Sequence, residues 1–312
     1  FKQKTAYEIP KRDWSSDVCS SDLQELEPAL AGGLGLEGRL AAGDDADRVA
    51  AGMRVDAEEG VLHGPGAYLS HGLGLNRHSW QWQVPALSGR YRVITIDLYG
   101  HGDSEAPPSP PSLSLFSGQI EQVISRLGIS RAAVAGFSLG GMIARRFAMD
   151  HVDRLWALAI LHSAHRRDQK AHDAIQARVN QARADGPAAT VGAALERWFT
   201  AAYRASHPEV MEQVRQWILA NRKEIYAPIY QVLVDGVAEL ISPSPSITVP
   251  TLVMTGDEDH GNSPEMSRAI AAEISGARLV ILPGLRHMAL AEAPELFNRH
   301  LLSFLDAASR HD

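Results

Sequence analysis

Short apolar runs, each followed by glycine or a polar residue, alternate with helix-length segments from about residue 67 onward. Such runs are typical of strands buried on both faces of a parallel sheet. The predicted strands are Ala67 to Ser70, Val93 to Asp97, Ala132 to Gly136, Leu155 to Leu161, Thr251 to Thr255 and Arg278 to Leu282. The predicted helices among them are Ser114 to Leu127, Leu139 to Met149, Pro264 to Ile274 and Pro294 to Ala307. The alternation predicts an α/β fold with a mostly parallel, doubly wound sheet.

The alternation stops after Leu161 and resumes at Thr251. Between these positions, apolar residues spaced by three and four predict helices, with Gly186, Pro187, Pro208 and Pro228 as breakers. The predicted helices are Ala171 to Ala184, Ala188 to Phe199, Pro208 to Asn221 and Ile225 to Val237. Helices inserted here would cover the strand ends, where open α/β sheets bind ligands. We therefore predict a core over residues 61–164 and 246–312 and a helical cap over residues 165–245.

The N-terminal region does not follow this pattern. Residues 1–23 are polar and aperiodic, and Lys2 to Glu8 and Asp13 to Leu23 look like translations of the constant parts of a sequencing primer. We interpret residues 1–23 as a disordered artefact and exclude them from the fold. Residues 24–60 are acidic and glycine-rich, and we predict an irregular N-terminal region there.

Composition narrows the classes of function. A formal net charge of −7 and a pI near 6.0 argue against binding to nucleic-acid phosphates or to an anionic membrane surface. No apolar run is long enough for a transmembrane helix. Cys19 is the single cysteine, so neither an internal disulfide nor a Cys/His zinc site is expected. We expect a cytoplasmic protein that acts on a small molecule, with no metal and no cofactor.

A serine lies between glycines in the sequence Gly136-Phe137-Ser138-Leu139-Gly140, after a predicted strand and before a predicted helix. This is the nucleophile-elbow pattern, in which the glycines permit a tight turn that lifts the serine oxygen above the sheet. The bare motif is only moderately specific, but its strand and helix context makes a chance match improbable. Ser138 is therefore the candidate nucleophile.

A serine hydroxyl needs a histidine to accept its proton and a third group to orient that histidine. Asp257, Glu258 and Asp259 follow the strand that ends at Thr255, and each could supply the carboxylate. His287 follows the strand that ends at Leu282. Of the 13 histidines, His287 alone follows a strand after the acid in this way, so it is the candidate general base.

Several motifs together resemble the α/β-hydrolase superfamily from about residue 61 to the end. They are Ser70 to Gly74, Asp97 to Ser104, Gly136 to Gly140, Gly256 to Asp259, and His287 with Glu292 and Pro294 after it. The resemblance implies the α/β-hydrolase fold and the chain order serine, acid, histidine. It favours Asp259 as the acid, since the family places it three residues after the glycine, and it implies an oxyanion hole formed by the backbone N–H groups of Leu73 and Leu139.

The segments Arg197 to Thr200, His207 to Val210 and Gly284 to His287 resemble the 3-oxoadipate enol-lactonases. That resemblance implies hydrolysis of an enol-lactone ester in aromatic catabolism, without metal or cofactor. An anionic lactone would need cationic contacts, for which Arg77, Arg166 and Arg204 are candidates.

The sequence therefore predicts a carboxylic-ester or lactone hydrolase that works through an acyl-serine intermediate. Cofactor-free perhydrolase (haloperoxidase-like) activity or carbon–carbon bond hydrolysis on the same triad is an alternative, because fold and triad do not fix the substrate. A non-catalytic protein that binds a small ligand is the alternative from another class. The oligomeric state is left open.

Overall fold

A computed structural model describes residues 55–57 and 64–311 of the chain. Its sheet has seven strands in the order β1-β3-β2-β4-β5-β6-β7. The strands are β1 (Val55–Ala57), β2 (Gly66–Ser70), β3 (Arg92–Ile96), β4 (Ala132–Phe137), β5 (Leu155–Leu161), β6 (Thr251–Gly256) and β7 (Arg278–Leu282). Six strands run parallel, and β1 pairs antiparallel with β3 at one edge.

Eleven α-helices accompany these strands in the described residues. They are α1 (Val84–Leu87), α2 (Leu113–Arg126), α3 (Leu139–Asp150), α4 (Gln169–Asp185), α5 (Ala188–Trp198), α6 (Ala201–Ser206), α7 (Pro208–Leu219), α8 (Lys223–Asp235), α9 (Pro264–Glu273), α10 (Ala289–Glu292) and α11 (Pro294–Ala308).

Helices cover both faces of the sheet. Successive strand residues point to opposite faces, so Val134 of β4 joins one hydrophobic core while Ala133 and Ala135 join the other. Helices α2, α3 and α9 pack on the first face, and α1 and α11 pack on the second. The predicted doubly wound, mostly parallel sheet is confirmed, with strand bounds within one residue of the expected ones.

Helices α4 to α8 lie between β5 and β6, and we call them the inserted helices. Four were predicted; the fifth, α6, is only six residues long and begins where the Thr200 side chain accepts a hydrogen bond from the N–H of Tyr203. The expectation that Pro228 breaks a helix is wrong, because Pro228 lies inside α8. In the second turn, proline removes only one backbone hydrogen bond, and buried neighbours such as Ile229 anchor the helix.

The predictions for residues 1–23 and 24–60 lie outside the described residues, apart from β1 at Val55–Ala57. This short strand stands within the region for which the sequence predicts irregular structure. Its order comes from pairing with the edge of β3, where Val55 faces Ile96 and Ala57 faces Ile94, rather than from a local pattern. The limits of core and cap stay predictions.

Within residues 64–311, no helix has the length and apolar character needed to cross a bilayer. The cytoplasmic location expected from the sequence stays a prediction.

Two buried histidines join the loops that follow β2 and β3. His71 Nε2 accepts a hydrogen bond from the Leu98 N–H at 3.0 Å, and His101 Nε2 accepts one from the Gly74 N–H at 3.0 Å. The Nδ1 atom of His71 lies 2.8 Å from the Gly72 carbonyl oxygen and donates to it. Both rings must be neutral to accept at Nε2, and burial lowers the pKa of His71 to about 4 and that of His101 to about 3.

These lowered pKa values predict acid-sensitive folding. The unfolded chain takes up protons near pH 6.5, whereas the folded rings do so only near pH 4 and pH 3, so stability is full above pH 6.5 and falls as the pH drops below it. Between pH 7 and pH 5 each ring should remove about 2 kcal/mol from the free energy of unfolding. Urea denaturation at the two pH values measures this loss.

The control is His101→Gln, whose amide oxygen can replace Nε2 as acceptor without titrating. This variant should lose about 2 kcal/mol less than the wild type between pH 7 and pH 5. Equal losses in the two proteins would contradict the role assigned to His101.

Candidate active site

Ser138 occupies the sharp turn between β4 and α3. Its backbone has φ 58° and ψ −114°, a strained conformation for a residue with a side chain, and its N–H donates to the Leu161 carbonyl at 2.8 Å. The turn is tight because its glycines touch other backbone. A Cβ at Gly136 would lie 2.0 Å from the Gly140 oxygen, and a Cβ at Gly140 would lie 2.3 Å from the Ser70 oxygen. The strand, turn and helix therefore hold Ser138 at the carboxyl edge of the sheet.

The two residues predicted to supply the oxyanion donors, Leu73 and Leu139, belong to segments that lie close to this serine. Leu139 is the first residue of α3, so its N–H has no acceptor within the helix, and the positive end of the helix dipole lies there. Leu73 follows Gly72, where an added Cβ would lie 3.0 Å from the Ser138 Cβ. The structure thus brings the Gly72–Leu73 segment and the α3 N-terminus together at Ser138.

Asp259 and His287 form a buried hydrogen-bonded pair. His287 Nδ1 lies 2.7 Å from Asp259 Oδ2, and Asp259 is almost completely buried. Asp259 Oδ1 accepts hydrogen bonds from the N–H groups of Gly261 and Asn262 at 3.1 and 3.0 Å. Burial alone would raise the pKa of Asp259, but the electrostatic interaction with His287 and the hydrogen bonds from the two neighbouring imidazoles outweigh it and hold the pKa below its usual range. The carboxylate is ionised and orients His287 through Nδ1.

The other acids and the histidine in this loop have different positions. Asp257 is exposed, and its Oδ1 accepts a hydrogen bond from the Gly284 N–H at 2.7 Å. This bond joins the loop after β6 to the loop after β7. Glu258 and His260 are also exposed. Of the three acids left open by the spacing, Asp259 is the one whose carboxylate bonds to His287.

His287 lies beside the elbow without a hydrogen bond to Ser138 Oγ in the described structure. Its ring is 4.9 Å from the ring of Phe137, the residue before Ser138, and 5.8 Å from the ring of Trp198 on α5. Nucleophile–base hydrogen bonds are often long before a substrate is bound. Ser138 is 8% exposed and His287 is 6% exposed, so both residues are buried but keep a small contact with solvent.

His162, the residue directly after β5, was not predicted from the sequence. It is fully buried, and its Nδ1 lies 2.9 Å from Asp259 Oδ2, the same oxygen that His287 contacts. A polar residue at the carboxyl end of a buried strand, between the strands that carry Ser138 and Asp259, is the signal that could have identified it.

Sequence analysis also missed a group of three partly buried arginines on the inserted helices and the segment before them: Arg167, Arg178 and Arg197. Arg178 Nε donates to the Tyr230 hydroxyl at 3.2 Å. Burial and the charge of Arg178 lower the pKa of Arg167 to about 10, and the same two causes lower that of Arg197. None of the ion pairs among residues 64–311 pairs these arginines with an acid.

The cationic candidates from the sequence have other partners or positions. Arg77 is buried and forms an ion pair with Asp97. Arg204 donates to the carbonyl groups of Glu196 and Phe199, and Arg166 is exposed.

His162, Asp259 and His287 are also the one group in the described residues whose potential metal-ligand atoms come together, within 4.8 Å of one another. Both imidazole Nδ1 atoms point at the ionised carboxylate, so each carries a hydrogen and has no lone pair to offer there. The geometry is that of a hydrogen-bond network rather than of a ligand set.

Comparison with known proteins gives the family. Residues 68–294 match the model of the alpha/beta hydrolase fold. The chain belongs to this α/β-hydrolase family.

Individual relatives include enol-lactonases. The 3-oxoadipate enol-lactonase 2 of Acinetobacter baylyi is 26% identical over 234 residues, or 75% of this chain and 86% of the relative. An (E)-2-((N-methylformamido)methylene)succinate hydrolase of the same organism is 26% identical over 241 residues, or 76% of this chain and 89% of the relative. The crystal structure of the enol-lactonase from Burkholderia xenovorans superposes with a TM-score of 0.75 at 33% identity, covering 81% of this chain and 95% of that one. The resemblance to enol-lactonases expected from the sequence is confirmed.

The elbow contacts predict that a single methyl group at Gly140 disrupts the site. In Gly140→Ala the new Cβ would lie 2.3 Å from the Ser70 carbonyl oxygen, so we expect a loss of about 2–3 kcal/mol in the free energy of unfolding. Urea denaturation measures this loss. The control is Gly118→Ala on α2, where the added methyl group meets nothing within 4 Å and should stabilise the helix by about 0.5–1 kcal/mol. Similar stability of the two alanine variants would contradict the close-approach explanation.

Proposed function

We propose that the protein is a serine hydrolase that cleaves carboxylic-ester or lactone bonds through an acyl-serine intermediate. The observation that carries the proposal is the meeting of a strained Ser138 elbow with the buried Asp259–His287 pair at one edge of the sheet. Membership of a hydrolase family with enol-lactonase relatives supports it.

In the first half-reaction, Ser138 Oγ attacks the carbonyl carbon of the substrate and its proton passes to His287 Nε2. The positive charge that forms on the imidazole is stabilised by Asp259, whose Oδ2 already accepts the Nδ1 hydrogen at 2.7 Å. The carbonyl oxygen becomes an oxyanion that the N–H groups of Leu73 and Leu139 would bind. Collapse of the tetrahedral intermediate expels the alcohol or enol oxygen, which takes the proton from His287.

In the second half-reaction, His287 removes a proton from water as the water oxygen attacks the acyl-serine carbonyl. The same backbone donors bind the second oxyanion. The bond to Ser138 Oγ then breaks, the proton returns from His287 to Oγ, and the carboxylic acid product leaves. No group beyond the side chains and main-chain donors of the site is needed in either half.

The proposed substrate is a small ester or lactone that carries a carboxylate. The cluster of Arg167, Arg178 and Arg197 supports this. Burial and the charge of Arg178 lower the pKa of Arg167 and of Arg197, and no ion pair among residues 64–311 joins one of the three to an acid. Neighbouring guanidinium groups of this kind suit an anionic ligand. Tyr226 connects this cluster to the candidate site. It interacts electrostatically with Arg197, and its ring lies against Gly74, the residue after the predicted oxyanion donor Leu73. The names of the enol-lactonase and succinate-hydrolase relatives also refer to acids.

The serine mechanism predicts that Ser138→Ala abolishes activity without unfolding the protein. A fluorophosphonate probe should label Ser138 in the wild type, and hydrolysis of p-nitrophenyl acetate should fall by about 10⁴-fold or more in the variant. Mass spectrometry of the labelled peptide and steady-state assays on protein lacking residues 1–23 provide the measurements. Full esterase activity in the variant would contradict the mechanism, and folded wild-type protein that resists the probe would favour a ligand-binding role instead.

The arginine cluster predicts charge selectivity. In Arg178→Gln we expect kcat/KM for the p-nitrophenyl ester of succinate, which has a free carboxylate, to fall by about 10- to 100-fold through loss of a charge-assisted hydrogen bond. The value for neutral p-nitrophenyl acetate should stay within about threefold. Arg183→Gln is the matched control, since Arg183 is exposed on the same helix and should leave both values unchanged. Equal losses for the two esters in Arg178→Gln would contradict recognition of the carboxylate.

A further inference from the structure

His162 is held in an uncommon backbone conformation beside the site. It follows β5 with φ 50°, and its N–H donates to the Met254 carbonyl at 2.7 Å. The Asn262 side chain donates to the His162 carbonyl oxygen at 2.6 Å. A left-handed conformation is costly for a residue with a side chain, and here it turns the imidazole toward the loop that carries Asp259.

The imidazole of His162 and that of His287 approach the same carboxylate oxygen. Their Nδ1 atoms lie 2.9 and 2.7 Å from Asp259 Oδ2, and the two rings are perpendicular with centroids 5.7 Å apart. Since the carboxylate is ionised, it can only accept, so both Nδ1 atoms must donate. Asp259 Oδ2 is therefore shared between two imidazole donors.

The other ring nitrogen of His162, Nε2, does not contribute a hydrogen bond to the described structure. Nε2 is buried and has no hydrogen-bond partner among the described residues. An unpaired buried nitrogen destabilises a fold, so an apolar side chain of similar size would fill this position at lower cost. The feature that offsets this cost is the donor at Nδ1.

The surroundings keep this ring neutral. The titratable groups that face it are Asp259 and His287, and its other neighbours are uncharged: Phe137, Phe297, Thr255 and Asn262. Burial lowers the pKa of His162 despite the opposing effect of Asp259. A neutral ring with hydrogen on Nδ1 is a fixed dipole aimed at the carboxylate.

We propose that His162 is a positioning residue that acts through Asp259: its Nδ1–H bond holds Oδ2 in place for His287 and withdraws part of the negative charge that His287 would otherwise receive. The inference rests on the proposed serine mechanism. Its consequence is that His287 releases its proton at a lower pH than it would beside an unshared carboxylate, so more of the base is in its active, neutral form in mildly acidic solution.

The first test compares His162→Leu, which removes the donor, with His162→Asn, whose amide nitrogen takes nearly the position of Nδ1. The pH dependence of kcat/KM for p-nitrophenyl acetate is measured for both. In His162→Leu the acid limb should move to higher pH by about one unit and kcat should fall by about tenfold with little change in KM. His162→Asn should restore the wild-type limb. An unmoved limb in folded, probe-labelled His162→Leu, or equal shifts in both variants, would overturn the proposal.

The second measurement uses the unaltered protein and does not depend on activity. In ¹⁵N-resolved spectra of the histidine rings, the signal of His162, assigned by its loss in His162→Asn, should show hydrogen on Nδ1 and a bare Nε2 from about pH 6 to pH 9. Hydrogen on Nε2, or a protonated ring, would overturn the proposal. Failure of the serine mechanism gives a different result, since the fluorophosphonate probe would then leave the wild type unlabelled whatever the tautomer of His162.

Discussion

The alignment of the carboxyl ends of the parallel strands is the constraint on which the site depends. Ser70 pairs with Gly136, Phe137 with Leu161, and Leu161 with Met254, so the strands end nearly level with one another. The residues that follow these ends are then forced onto one edge of the sheet, although they are far apart along the chain. Shifting one strand by a single residue would turn its buried side chains to the opposite face and take its chemistry out of the site.

At that edge of the sheet, the carboxylate of Asp259 is buried away from water, and the loss of its hydration destabilises the folded state. A buried carboxylate is tolerated only when donors replace its lost hydration. Asp259 has two main-chain donors on one oxygen, from Gly261 and Asn262. Its other oxygen has two imidazole donors at 2.9 and 2.7 Å and the Thr255 hydroxyl at 3.4 Å. The main-chain donors fix the carboxylate to its own loop, and the imidazoles connect that loop to β5 and β7. In the proposed mechanism, reactivity and local stability would depend on the same set of hydrogen bonds.

The parts that sequence analysis predicted are those with a local signal. Ser138, Asp259 and His287 each follow a strand within a few residues, and the glycines at the elbow mark a turn that the backbone contacts require. His162 also follows a buried strand, but that position alone does not reveal its bond to Asp259, a residue 97 positions away. The arginine cluster depends on how three inserted helices and one loop pack together, which no periodicity reveals. The strand β1 is likewise specified by its partner, and α6 is too short to show an amphipathic pattern.

The inserted helices reach the reactive edge through aromatic side chains. Tyr226 of α8 lies against Gly74, and Trp198 of α5 lies against His287. The candidate triad itself lies in the turn after β4 and in the loops after β6 and β7. The core of strands and loops thus holds the candidate triad, and the inserted helices place aromatic side chains beside it. Under the proposed function, a substitution in the inserted helices would alter the surroundings of the substrate while the candidate triad stays in place, so substrate preference could change separately from the bond-cleaving step.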